Sequence, residues 1–265
     1  MEQDIPVVIL CGGLGTRIKE ETETKPKPMI EIGGKPILWH IMKMYSHYGF
    51  NNFILCLGYK KDVIKNYFLN HEIMSSDITL DFSATNKIDF HNSPSEKSWK
   101  ITLVDTGDNA MTGTRVKRIE KFIKGDTFML TYGDGVSNVN ISDVIKFHKS
   151  HGKIGTVTGV RPPSRFGELV IKDNMVVNFT EKPEDCKDQR FINGGFFVFK
   201  KEFFRYLDDN DSCVLEKEPL QNLSKDGNLM VYKHTGFWQC MDTYRDWLLL
   251  ENMWKSNPAW KVWGA

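Results

Sequence analysis

The 265-residue chain carries no excess of either charge: 35 Lys and Arg against 34 Asp and Glu leave a formal net charge of +1. A general nucleic-acid binder shows a basic excess, so nucleic acid is not an expected partner. Any phosphate site must then be a local cluster of basic groups. Cysteine is sparse. Cys11, Cys56, Cys186, Cys213 and Cys240 are scattered, and no two form a CxxC. An odd, dispersed set suits no closed disulfide framework and points to reduced thiols in the cytoplasm. No apolar run approaches the roughly 20 residues of a membrane span. Residues 1–5 are polar and acidic, unlike a signal peptide, so no membrane association is expected. Internal repeats and low-complexity tracts are absent too. Hydrophobic residues at 40% and charged ones at 26% exclude a disordered chain, a collagen and a coiled coil.

What is present alternates. Val7-Val8-Ile9-Leu10-Cys11 reads as a buried strand ended by Gly12-Gly13. Residues 18–35 read as a long loop broken by Pro26 and Pro28. Pro36 then opens a helix with Ile37, Leu38, Ile41, Met42 and Tyr45 at a helical period. Phe53–Leu57 is a second strand and Lys61–Phe68 a second helix. Residues 83–98 look like a surface excursion. Trp99–Asp105, Thr127–Thr131 and Gly155–Val160 read as further strands, and Val116–Ile123 and Ile141–Ser150 as helices. Beyond Pro162-Pro163 come the expected strands Glu168–Ile171, Val176–Glu181 and Ile192–Phe199, then a helix over Thr243–Trp254. The expectation is one α/β domain over residues 1–265, with a Rossmann-like, mostly parallel sheet flanked by helices. Its nucleotide-binding half spans about 1–160, and a smaller strand-rich half about 161–265. Ligands of such sheets bind beyond the carboxyl ends of the strands.

Gly12-Gly13-Leu14-Gly15-Thr16-Arg17 follows the first strand directly. Its glycines can turn backbone N–H groups toward one anion, and Arg17 adds donors suited to phosphate oxygens. A Rossmann fingerprint counted from Gly13 would place its last glycine at Ile18, and no Gly-Lys-Ser/Thr is present for a Walker A loop. Read from the residues alone, this is a phosphate cradle or a glycine-rich turn.

The run continues to Pro26-Lys27-Pro28 and Gly34-Lys35-Pro36, and the whole resembles the signature of sugar-1-phosphate nucleotidyltransferases. The likeness extends from Val7 to Trp263. Lys25–His40, Leu103–Gly107, Met111–Gly113, Thr131–Gly135 and Gly236–Thr243 resemble one branch of that family, the glucose-1-phosphate cytidylyltransferases. The resemblance implies transfer of CMP from CTP to glucose 1-phosphate with release of pyrophosphate. The product, CDP-glucose, would feed dideoxysugar synthesis for surface polysaccharide. Another sugar 1-phosphate, UTP or dTTP as donor, and a non-catalytic nucleotide-sugar-binding subunit are the alternatives.

The resemblance also implies roles. Arg17 and Lys27 are the catalytic cations, Lys25 being a neighbouring competitor. Leu10, Cys11, Gly12, Gly13, Leu14, Gly15, Thr16, Ala110, Arg115 and Gly133 line the nucleotide. Ala110 stands where the family has a small hydroxyl residue, which leaves that contact to backbone. Arg115 could donate to the cytosine acceptors, or be an exposed arginine at a helix start. Mg²⁺ falls to Asp134 and Asp242; from the residues alone, Asp134 better suits a plain Gly-Asp-Gly turn, and the resemblance reverses that. Gly167, Glu181, Lys182, Asn193 and Gly194 match sugar-phosphate contacts. His40 and His47, seven apart on one helix, read as structural. A homo-oligomer, of hexamer type, is implied, and the tryptophans near the C-terminus could cover either the core or a partner subunit.

Overall fold

The computed structural model describes residues 4–13, 24–83, 87–92, 96–161, 168–172, 175–180 and 191–264. Its strands, in chain order, are β1 (Val7–Leu10), β2 (Glu31–Ile32), β3 (Lys35–Pro36), β4 (Asn52–Leu57), β5 (Ile78–Asp81), β6 (Lys87–Phe90), β7 (Lys100–Asp105) and β8 (Thr127–Tyr132). There follow β9 (Gly135–Ser137), β10 (Gly155–Val160), β11 (Glu168–Lys172), β12 (Met175–Thr180), β13 (Ile192–Lys200), β14 (Leu229–His234) and β15 (Trp238–Cys240). The helices are α1 (Ile37–His47), α2 (Lys61–Leu69), α3 (His71–Ser75), α4 (Thr112–Arg118), α5 (Ile141–His151), α6 (Glu218–Lys225) and α7 (Tyr244–Ser256).

Seven strands form one sheet in the order β14-β10-β13-β8-β1-β4-β7. All neighbours are parallel except β13, which runs antiparallel to both β8 and β10. The expected mostly parallel α/β sheet is therefore present. Because strand side chains alternate, β1 feeds two cores. Val7 and Ile9 face a cluster with Ile41, Met42, Val144 and Leu250 from α1, α5 and α7. Val8 and Leu10 face a cluster with Val116, Phe203 and Leu223. Two helical layers thus sandwich the sheet, and every residue of β1 is buried. Among the described residues no helix is long and apolar enough to cross a membrane.

Several boundaries differ from expectation. The helix expected over Val116–Ile123 is α4 from Thr112 to Arg118, followed by a 3-10 turn at Glu120–Phe122. Ile119 and Ile123 still pack inward, which explains the helix-like apolar spacing. The expected excursion contains β6, paired antiparallel to β5. α6 and β14 were not expected.

The C-terminal tryptophans close this chain's own core. Trp260 is fully buried, and its Nε1 donates to His40 Nδ1 at 3.4 Å. His40 Nε2 in turn donates to Ile32 O at 2.8 Å. Burial pushes the His40 imidazole down to about 4, and burial with nearby cations does the same to His148. Both are neutral in the fold and gain a proton on unfolding at acid pH. Their contribution is therefore complete above pH 6.5 and is lost as pH falls toward 4. Urea unfolding at pH 7.5 and pH 5.0 should show a loss of about 2 kcal/mol per imidazole. A flat profile over that window would contradict neutral burial.

Candidate active site

A cleft of about 410 Å³ opens at the carboxyl ends of the neighbouring parallel strands β1 and β8. Leu10 to Gly13 form one wall and residues 108–112 another, while Tyr132, Gly133 and Asp134 lie between them with Lys27 and Pro28. Every described residue expected at the nucleotide lines this cleft: Leu10, Cys11, Gly12, Gly13, Lys27, Ala110, Arg115 and Gly133. Leu14, Gly15, Thr16 and Arg17 fall outside the described residues, as do Gly167, Glu181 and Lys182.

Lys27 holds the centre. Pro26 and Pro28 bracket it in a 3-10 turn, and its ammonium extends to two carboxylates at once. Nζ donates to Asp134 Oδ2 at 2.6 Å and to Asp242 Oδ1 at 2.6 Å. Burial alone would lower its pKa. The charges and hydrogen bonds of Asp134 and Asp242 outweigh burial and hold it above the ordinary lysine value.

A short ladder brings the two acids together. β9 pairs antiparallel with β15, matching Gly135 to Cys240, and Met241 N donates to Asp134 O at 2.8 Å. Asp242 then sits just ahead of α7, whose entry is fixed by a capping box. Thr243 Oγ1 accepts from Asp246 N, while Asp246 Oδ2 accepts from the backbone N–H groups of Asp242 and Thr243.

Two carboxylate oxygens converging on one ammonium define a place where a cation is already favoured. Among the described residues no group of three or more His, Cys, Asp or Glu could hold a metal. Two carboxylates with substrate phosphates form the hard, incomplete oxygen set that suits Mg²⁺. The donor chemistry of Asp134 and Asp242 therefore fits Mg²⁺.

Arg115 is 4% exposed, unlike a solvated helix-start arginine. Nη1 donates to Leu57 O, Thr106 Oγ1 and Gly107 O, and Nη2 donates to Gly12 O and Asp108 O. Its terminal nitrogens thus engage protein acceptors rather than pointing into the cleft. It ties the glycine loop to the 107–108 wall. The fit is close: a Cβ on Gly12 would lie 2.2 Å from Arg115 Nη1. Arg115→Met would remove five hydrogen bonds from a charged donor and strand the buried Gly12 carbonyl, each loss being worth about 1–3 kcal/mol, while Leu57 O keeps Thr106 as its donor. A loss of about 3 kcal/mol or more in unfolding free energy is expected; unchanged stability would show that the strut is dispensable.

Asn193 reaches the cleft indirectly, its Nδ2 donating to Tyr132 Oη at 3.2 Å. Close approach to the tyrosine is made at Gly195 rather than Gly194. Gly195 has φ of +80°, and a Cβ there would lie 2.5 Å from Tyr132 Cδ2. Gly194 instead accepts from Trp238 Nε1 through its carbonyl at 2.7 Å. Sequence reasoning does not single out Pro28, Asp108, Asn109 or Tyr132. Their signal is adjacency: Pro28 borders Lys27, Asn109 borders Ala110, Tyr132 borders Gly133, and Asp108 follows the Leu103–Gly107 run.

Comparison with known proteins identifies the family. The nucleotidyl transferase family profile matches residues 6–248. A glucose-1-phosphate cytidylyltransferase of Salmonella typhimurium is 52% identical over 258 residues, covering 97% of this chain and 98% of that protein. A probable glucose-1-phosphate cytidylyltransferase of Bacillus subtilis is 47% identical over 257 residues, covering 97% and 99%. The inositol-1-phosphate CTP transferase structure from T. maritima superposes with a TM-score of 0.63 at 14% identity, covering 95% and 96% of the two chains. At that identity it speaks for the fold alone.

Proposed function

The chain belongs to the nucleotidyl transferase family, and on that premise we propose that it transfers the CMP moiety of CTP to glucose 1-phosphate, giving CDP-glucose and pyrophosphate. The observation that carries this is Lys27 held between Asp134 and Asp242 in the β1–β8 cleft. Full-length likeness to glucose-1-phosphate cytidylyltransferases supports the choice of substrates.

A phosphate oxygen of the sugar attacks the α-phosphorus of CTP. The bond from that phosphorus to the bridging oxygen breaks, and pyrophosphate leaves in line. Such transfers depend on positioning and on neutralising charge. The N–H groups of the glycine loop bind the phosphates. Lys27 and Arg17 stabilise the charge that develops on the departing pyrophosphate. The 107–112 wall, held by Arg115, borders the base, with Ala110 offering backbone. Lys182 holds the phosphate of the sugar phosphate, Glu181 and Asn193 bind its hydroxyls, and Gly167 and Gly194 allow close approach of the ring. Asp134 and Asp242 hold Mg²⁺, which supplies charge neutralisation and orientation of the triphosphate when bound.

A cytosolic, homo-oligomeric enzyme of hexamer type completes the proposal. Free thiols at Cys11, Cys56, Cys213 and Cys240 support the first part. Exposed Leu69, Met74, Leu80 and Phe82 around the β5–β6 hairpin support the second.

Pyrophosphate release across CTP, UTP and dTTP with several hexose 1-phosphates tests the reading. Turnover is expected with CTP and glucose 1-phosphate. Preference for another pair would reassign the substrates, and CTP binding without product in excess Mg²⁺ would point to a non-catalytic subunit.

A further inference from the structure

Glu216 lies in the loop after the 3-10 turn at Lys201–Tyr206, far from every motif of the glycine loop. Its two carboxylate oxygens nevertheless serve two parts of the cleft, the 108–112 wall and the Tyr132–Asp134 stretch beside it. Tyr132 Oη donates to Oε1 at 2.5 Å, and Thr112 Oγ1 donates to Oε2 at 2.7 Å. Both partners line the cleft.

The polarity of this network is settled by its outer members. Tyr132 Oη also accepts from Asn193 Nδ2 at 3.2 Å, and Thr112 Oγ1 accepts from Leu215 N at 2.9 Å. Each hydroxyl therefore has its hydrogen left for Glu216, and only an acceptor-only group satisfies both. The loop itself is pinned to the base wall, with Met111 N donating to Asp211 O and Gly113 N to Cys213 O, each at 2.9 Å.

We propose that Glu216 is a positioning residue of the transfer reaction. Its carboxylate couples the base wall, through Thr112, to the sugar side, through Tyr132 and Asn193. The proposal rests on the nucleotidyl-transfer reading above, because that reading assigns the two sides to nucleotide and sugar. Hydrogen bonds to a charged acceptor are the strong ones, and removing a shared acceptor frees both parts together.

Steady-state kinetics of wild type, Glu216→Ala, Glu216→Gln, Tyr132→Phe and Thr112→Val, with the Glu216→Ala double mutants, test it. Glu216→Ala should raise KM for CTP and for the sugar phosphate, each by about tenfold, equivalent to about 1.4 kcal/mol. Tyr132→Phe should raise KM for the sugar phosphate alone, and Thr112→Val KM for CTP alone. Either change added to Glu216→Ala should have little further effect. Glu216→Gln retains one acceptor oxygen and should recover one of the two KM values. Both KM values within twofold of wild type in Glu216→Ala would overturn the proposal. Full additivity of the double mutants, or a loss of thermal stability with unaltered KM values, would do the same. Wild-type turnover tests the substrate assignment on its own. The variant-to-wild-type ratios test Glu216 on whichever nucleotide and sugar phosphate the wild type uses.

Discussion

Lys27→Met is expected to lower kcat by about 10²–10³, the loss of about 3–4 kcal/mol seen when a preorganised electrostatic donor is removed from a transition state. Methionine keeps an apolar stem of similar reach, so Pro26 and Pro28 can still hold the turn. What is lost is the charge. In this structure the ammonium neutralises Asp134 and Asp242. In the proposed reaction the same side chain, which lines the cleft, shares its charge with phosphate oxygens of the triphosphate. Most of the loss should therefore appear in kcat, with KM for CTP changing less. Removing the ammonium also leaves two carboxylates facing each other, so Mn²⁺ should bind the nucleotide-free variant more tightly than it binds wild type. Wild-type-like turnover by Lys27→Met would remove this lysine from the mechanism.

Asp134→Asn and Asp242→Asn should each lower turnover by about 10³, since a metal supplies several kcal/mol of charge stabilisation. An amide keeps the shape and one oxygen but neutralises a ligand that Mg²⁺ prefers charged. Asp242→Asn probes a residue that the β9–β15 ladder, the Met241 N–H to Asp134 O bond and the Thr243 capping box place beside residue 134. Mn²⁺ titration of the wild type, monitored by water proton relaxation with CTP present, should saturate, and either variant should weaken binding at least tenfold. Retained affinity in both variants would place the metal elsewhere.

The buried framework is legible from the chain because its signals are local. Val7–Leu10 and Phe53–Leu57 are buried along their length, so continuous apolar runs mark them. The helix Ile37–His47 shows its apolar face in eight buried positions beginning after Pro36. The β5–β6 hairpin is not legible, because all four residues of Lys87–Phe90 are exposed and no alternation separates an inside from an outside. The edge strand Leu229–His234 has the same ambiguity. The expected helix start at Val116 falls four residues late: α4 begins at Thr112, where Cys213 O of the 208–217 loop accepts from the N–H groups of Gly113 and Thr114.

The site divides along the same line. Glycines next to a strand end, with a lysine between prolines, point to phosphate chemistry by adjacency in the chain. Asp134 and Asp242 can be matched to a family pattern, but their contact depends on a three-residue ladder that no spacing rule contains. Glu216 is further removed still: an exposed glutamate in an irregular loop carries no motif. Only the folded arrangement shows its oxygens on Tyr132 and Thr112.

The proposed chemistry is a single in-line transfer within the cleft around Lys27. Turnover of one diastereomer of α-thio CTP with glucose 1-phosphate tests it most directly, through the configuration at phosphorus in the thio analogue of CDP-glucose. One displacement predicts inversion. Retention of configuration would require two displacements through a nucleotidylated intermediate and would contradict the account.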